Sequence, residues 1–203
     1  MAKDPKKIAN TNAGISIWYN DEYHPCSSIT GCLFLGNDDH TTAYCLVGAK
    51  LPNTRIKLEN GTETTSNEEE YHLIDEFSEK LSDDMVLKLK KFLTDLRVER
   101  VIIVCSDESL RVKVRKSLDI KCVFQDEKKR NNYSIILREW FARKKPIGGT
   151  PVLKLWSDCR EAIKSNYLPA RDCTVRLLEW FDSRNKKVKA LPIQRRTHST
   201  GYG

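Results

Sequence analysis

Val101-Ile-Ile-Val-Cys-Ser-Asp107 is the stretch on which the reading of this chain turns. Its continuous apolar run, Val101 to Cys105, lacks the alternation of a half-buried strand. It predicts a strand covered on both faces, hence central and parallel to a neighbour. An acid follows two residues past its end.

Downstream, Ser109 to Leu118 reads as a short basic helix. Cys122-Val-Phe124 fits either a short strand or an apolar turn. Asn131 to Arg143 predicts a helix carrying Ile135, Ile136, Trp140 and Phe141. Pro151 to Trp156 predicts another strand. Asp172 to Phe181 opens a final helix with Val175, Leu178 and Phe181 inward. Upstream, Ile15 to Tyr19, Gly31 to Leu35 and Ala43 to Val47 predict three strands with short connections, an antiparallel meander. Residues 52–66 are a polar loop. A helix is expected from Ser66, with Tyr71, Ile74 and Phe77 at a spacing of three. A second is expected from Ser82 to Leu96. A meander followed by alternating strands and helices predicts an α/β domain with a mixed sheet flanked by helices.

The 203 residues suffice for one domain over 15–185. Residues 1–14 and 186–203 read as disordered basic tails. They carry net charges of +2 and +5, the whole of the +7 excess. Within the domain the charges segregate. Residues 59–84 hold ten acids and one base, and residues 110–145 hold twelve bases and four acids. That pattern fits two solvated faces of opposite sign, or an acidic metal pocket beside a basic groove for a polyanion. No apolar run approaches the roughly 20 residues of a membrane span. Seven scattered cysteines, with no C-x-x-C pair, point to reduced thiols in an intracellular protein, nuclear or cytoplasmic. His24, Cys26, Cys32 and His40 lack zinc-site spacing.

Four acids stand at informative places: Asp21 after the first strand, Glu70 in the expected helix, Asp107 after the buried strand, and Asp172 at the start of the last helix. In an open sheet, functional groups gather at the carboxyl ends of strands. If the strand at 15–19 neighbours that at 101–105, Asp21 and Asp107 meet. Several carboxylates in one pocket need divalent cations, and oxygen ligands favour Mg²⁺ or Mn²⁺.

Ile17-Trp-Tyr-Asn-Asp21, Gly48-Ala-Lys-Leu-Pro52, Thr65-Ser-Asn-Glu-Glu-Glu70-Tyr, Val101 to Leu110, Asn131 to Lys145, Val152 to Trp156 and Ala170-Arg-Asp172 follow one another in an order that resembles ribonuclease H of the cellular, eukaryotic type. The resemblance implies a five-stranded mixed sheet flanked by helices. It implies that Asp21, Glu70, Asp107 and Asp172 hold Mg²⁺ or Mn²⁺ and cleave the RNA strand of an RNA–DNA hybrid. Thr65, Ser66 and Asn67 would contact the backbone and 2′-hydroxyls, and Arg111 and Lys113 the phosphates.

The alternative is a relative that binds nucleic acid or protein without cutting. Glu22 and Tyr23 stand where the family has Gly and a small residue after its first aspartate, and residues 157–171 contain neither His nor Gly. The acidic stretch 59–84 and the basic tails are candidate surfaces for a protein partner.

Overall fold

The computed structural model describes residues 6–36, 42–52, 55–57, 63–65, 70–126, 132–145, 149–163 and 167–188. Its strands are β1 (Ile8–Thr11), β2 (Gly14–Tyr19), β3 (Glu22–Pro25), β4 (Ser28–Leu35), β5 (Thr42–Leu51), β6 (Arg55–Lys57), β7 (Glu63–Thr65), β8 (Glu70–Lys80), β9 (Arg100–Val104), β10 (Lys121–Gln125) and β11 (Leu153–Leu155). Its helices are α1 (Asp83–Asp95), α2 (Glu108–Leu118), α3 (Tyr133–Ala142), α4 (Arg160–Ile163) and α5 (Leu168–Val188).

The main sheet has six strands in the order β10-β9-β4-β5-β8-β11. β4, β5 and β8 form the antiparallel meander, and β9 and β10 run parallel to β4. β11 adds a parallel edge beyond β8, a sixth strand where five were expected. The result is a mixed α/β architecture with helices on both faces, the fold class read from the sequence.

β9 is central because its side chains are buried alternately on two faces. Val101 and Ile103 join α1 and α2 on one side, and Ile102 and Val104 join α3 and α5 on the other. Ser82 caps α1, its hydroxyl accepting the Met85 amide at 3.1 Å. Asp107 caps α2 in the same way, accepting the Leu110 amide at 3.1 Å.

Three expectations change. The strand beside β9 is β4, not the strand at 15–19. Ser28–Leu35 is apolar or small throughout and buried on both faces, so it takes the central place. β2 is fully buried only at Ser16 and Ile17 and pairs with β1 and β3 in a separate three-stranded sheet. The N-terminal segment is therefore not a tail from Ile8 onward: β1 pairs with β2, and Ile8 enters the core.

The segment from Glu70 is a strand, not a helix. β8 carries a bulge where Val47 faces Asp75 and Gly48 faces Leu73, leaving Ile74 unmatched. One extra residue shifts the two-residue period, so Ile74 and Phe77 pack on the α1 side and Tyr71 on the α5 side, and their spacing of three is not one helical face. Beside the bulge, Gly48 lets α5 approach closely: a β-carbon there would lie 2.8 Å from Leu177 Cδ2.

Candidate functional site

The four acids do not converge. Asp21 is exposed in the turn between β2 and β3, with φ 63°. Glu70 begins β8 opposite Leu51, at the end of the sheet where β4 starts. Asp107 lies past the end of β9, at the other end of the sheet. The register separates these two levels by the six steps from Ser28 to Phe34, about 20 Å at roughly 3.3 Å per residue. β4, which takes the place beside β9, contains no carboxylate. Asp107 and Asp172 do share an end of the sheet, because Asp172 is tied to the end of β10.

That tie is a buried network. Arg176 donates from Nε to Asp172 Oδ2 at 2.6 Å, from Nη1 to Gln125 Oε1 at 2.8 Å, and from Nη2 to the Asp126 carbonyl at 3.1 Å. The Tyr133 hydroxyl donates to Asp172 Oδ1 at 2.6 Å. Both charged side chains are almost fully buried, at 2% and 3% exposure. A buried charge is tolerated only when paired and hydrogen-bonded, and here both conditions hold. Arg111, on α2, reaches Asp126 Oδ1 at 3.6 Å. Asp107 is occupied as a helix cap. Hydrogen bonds from the Ser109 hydroxyl and the Leu110 amide hold its carboxyl below the usual range.

This donor set does not fit the Mg²⁺ or Mn²⁺ that the resemblance implies. Among the described residues, no three His, Cys, Asp or Glu side chains lie close enough to hold a metal ion. At the ends of β9 and β10 the compensating positive charge comes from guanidinium groups.

Glu70 belongs to a different network. Its Oε1 accepts from His72 Nε2 at 2.7 Å, and its Oε2 accepts from the Lys145 ammonium. Trp156 Nε1 donates to His72 Nδ1 at 3.1 Å. An indole N–H only donates, so the imidazole is neutral with its proton on Nε2. Burial opposes the Glu70 charge, but the bonds from His72 and Lys145 outweigh it and bring its pKa to about 2. Burial lowers the His72 value despite Glu70 beside it. Tyr19 packs edge-on against His72, 4.7 Å between centroids, so the cluster also anchors β2. Both ring nitrogens of His72 are engaged, which leaves it no proton to exchange with a substrate. The cluster is a structural clamp.

Much of the acidic stretch is likewise engaged in intramolecular pairs, several of them at the surface. Lys7 bridges Asp75 and Asp158, Lys88 meets Glu79, and Lys113 meets Asp83 at 2.6 Å. Glu76 accepts the Tyr44 hydroxyl and the amides of Glu161 and Ala162. Of the expected contacts, Ser66 and Asn67 lie outside the described residues, and Thr65 ends β7.

The basic surface is α2 with edge strand β10. Arg111 and Arg115, one helical turn apart, both lie over the Phe124 ring at 5.7 Å. Val114 and Leu118 face the core, so Lys116 points outward. Lys121, at the start of β10, is exposed. A guanidinium placed over a ring is pre-oriented toward a phosphate.

The sequence reading passed over Arg176 and His72. The Asp172-x-x-x-Arg176 spacing is an acid-to-base pair at i,i+4, a legible signal on a helix. His72 gave no such signal: Trp156 is remote in sequence, and Glu70, two residues away, was expected on a helix, where neighbours at that spacing do not face each other.

No protein-family model matches the chain, and no curated protein does. Among solved structures it is similar to the Holliday junction resolvase of fowlpox virus, with 11% identity over 77% of this chain and 99% of that one and a TM-score of 0.44. The same resolvase with Holliday junction DNA gives 11% identity, 79% and 99% coverage, and a TM-score of 0.39. RuvC of T. thermophilus in complex with a Holliday junction substrate gives 13% identity, 77% and 95% coverage, and a TM-score of 0.36. The viral protein is a Holliday junction resolvase, and RuvC is seen with a Holliday junction substrate. A likeness of this extent defines neither substrate nor chemistry for this chain.

Proposed function

We infer that this chain is a nucleic-acid-binding module of ribonuclease H-like architecture, which holds phosphates on α2 and β10 and does not cut through Asp21, Glu70, Asp107 and Asp172. The observation that carries this reading is the pairing of Asp172 with Arg176. The carboxylate at the strand ends is neutralised by the chain's own guanidinium, and the adjoining surface presents Arg111, Arg115, Lys116 and Lys121 to a polyanion. Affinity of this kind is electrostatic, and it weakens as salt rises.

A fluorescence-anisotropy titration of labelled single-stranded DNA, single-stranded RNA, duplex DNA and RNA–DNA hybrid, in EDTA, tests it. The expected result is metal-independent binding whose affinity falls steeply with salt. Substituting Arg111→Gln and Arg115→Gln together reduces the log–log slope by about 1.4 to 1.8, two phosphate contacts. No binding to any probe at low salt overturns the reading.

A second reading, cleavage of the RNA strand of an RNA–DNA hybrid, draws on Asp107 and Asp172 sharing one end of the sheet. It requires Arg176 to give way to a metal ion. Its mark is Mg²⁺- or Mn²⁺-dependent cutting that Asp107→Asn and Asp172→Asn each abolish.

A further inference from the structure

At the end of the sheet opposite Asp107, where β4, β9 and β10 begin and β5 ends, cations gather around the C-terminal part of α5. Arg100, the first residue of β9, lies over the Trp180 ring at 5.2 Å. Arg143, just past α3, lies over Trp140 at 3.8 Å and meets Asp182 Oδ1 at 3.8 Å. Lys50, buried at the end of β5, donates to the Phe181 carbonyl at 3.5 Å. Lys121 and Lys144 are exposed.

Lys50 serves the fold through its bond to the Phe181 carbonyl. Two observations remain. Arg100 Nε, like Arg171 Nε, is buried without a hydrogen-bond partner among the described residues. Arg143 is 46% exposed, and its contact to Asp182 is too long for a hydrogen bond. Its guanidinium lies over Trp140 and stays reachable from solvent.

We propose that Arg100, Lys121, Arg143 and Lys144 form a second phosphate-binding surface, which continues the α2–β10 ridge under the starts of the strands, so that one strand of nucleic acid is gripped at both places. This rests on the reading of α2 and β10 as a phosphate-binding surface. Lys121 joins the two patches. From β10 to β8, beside which Arg143 lies, are four strand spacings, about 20 Å. An oligonucleotide of about 4 nucleotides fills one patch, and one of about 20 spans both.

Salt-dependent binding of the full chain to oligo-dT of both lengths tests the proposal. The double substitution Arg143→Gln/Lys144→Gln lowers the slope for the long strand by about 1.4, two contacts on single-stranded nucleic acid, and leaves the short strand unchanged. The pair Lys121→Gln/Lys144→Gln, which breaks no ion pair among the described residues, lowers the long-strand slope by the same amount and the short-strand slope by about 0.7, because Lys121 also belongs to the α2–β10 surface. Unchanged slopes on the long strand for both pairs overturn the proposal. If Arg111→Gln/Arg115→Gln still lowers the slope, only the second surface is lost. If that pair is silent too, the reading of α2 and β10 falls with it.

Discussion

Asp172 and Arg176 stand one turn apart on α5 and meet at 2.6 Å with almost no access to water, and Arg176 reaches onward to the last residues of β10. This pair joins the longest helix to an edge strand, and it takes up a carboxylate that the sequence resemblance assigns to metal.

A buried pair of this kind is costly to break from one side. Arg176→Met leaves Asp172 buried with only the Tyr133 hydroxyl to oppose its charge among the described contacts. Its expected cost is about 3–5 kcal/mol. Asp172→Leu combined with Arg176→Met costs less than the sum of the two single changes. Urea unfolding of the four proteins gives the coupling energy, and simple additivity excludes the pairing.

The clamp around His72 sets two pH windows. The folded His72 value lies below its ordinary 6.5, so the unfolded chain takes up the proton first as pH falls. The His72 contribution to stability is full above 6.5 and declines below it. Glu70 has a folded value near 2 against an ordinary 4.5, so its contribution is full above 4.5 and is gone by about pH 2. Urea midpoints measured from pH 8 downward are expected to show the first decline in the native chain and not in His72→Gln. An identical decline in both removes His72 as its source.

The indole of Trp156 fixes the tautomer of His72. In ¹⁵N spectra at neutral pH, His72 is expected as the Nε2–H form. Trp156→Phe leaves a buried Nδ1 acceptor without its donor and is expected to destabilise by about 1–3 kcal/mol. A ring protonated on Nδ1 contradicts the geometry.

Gly48 is required by the approach of α5. In Gly48→Ala the new β-carbon meets Leu177 at 2.8 Å and the His72 carbonyl at 3.1 Å. Overpacking of this sort costs about 1–3 kcal/mol, read as a lower urea midpoint at unchanged slope. An unshifted midpoint shows that the contact is loose.

Much of the architecture was legible because it depends on burial. The apolar run at 101–105, the helices expected from Ser82 and from Ser109, and the antiparallel pairing of 31–35 with 43–47 all emerge where their patterns placed them. The errors share one cause, a local pattern that a partner elsewhere overrides. Glu70 sat in an expected helix because the bulge opposite Gly48 disguised a strand. Asp21 followed a true strand, but that strand belongs to another sheet. The site was less legible than the fold. Only contacts distant in sequence show that Glu70 is tied to Lys145 and, through His72, to Trp156, or that Arg176 closes on Gln125.

The central claim is that the chain binds nucleic acid without cutting it through the four acids. Its most direct test is to incubate folded protein with labelled RNA–DNA hybrid and with single-stranded, duplex and four-way-junction nucleic acids, at concentrations that saturate binding, in Mg²⁺ and in Mn²⁺. The account predicts a shifted complex whose nucleic acid is recovered intact in both metals. Metal-dependent cleavage that disappears in Asp107→Asn and Asp172→Asn would contradict it.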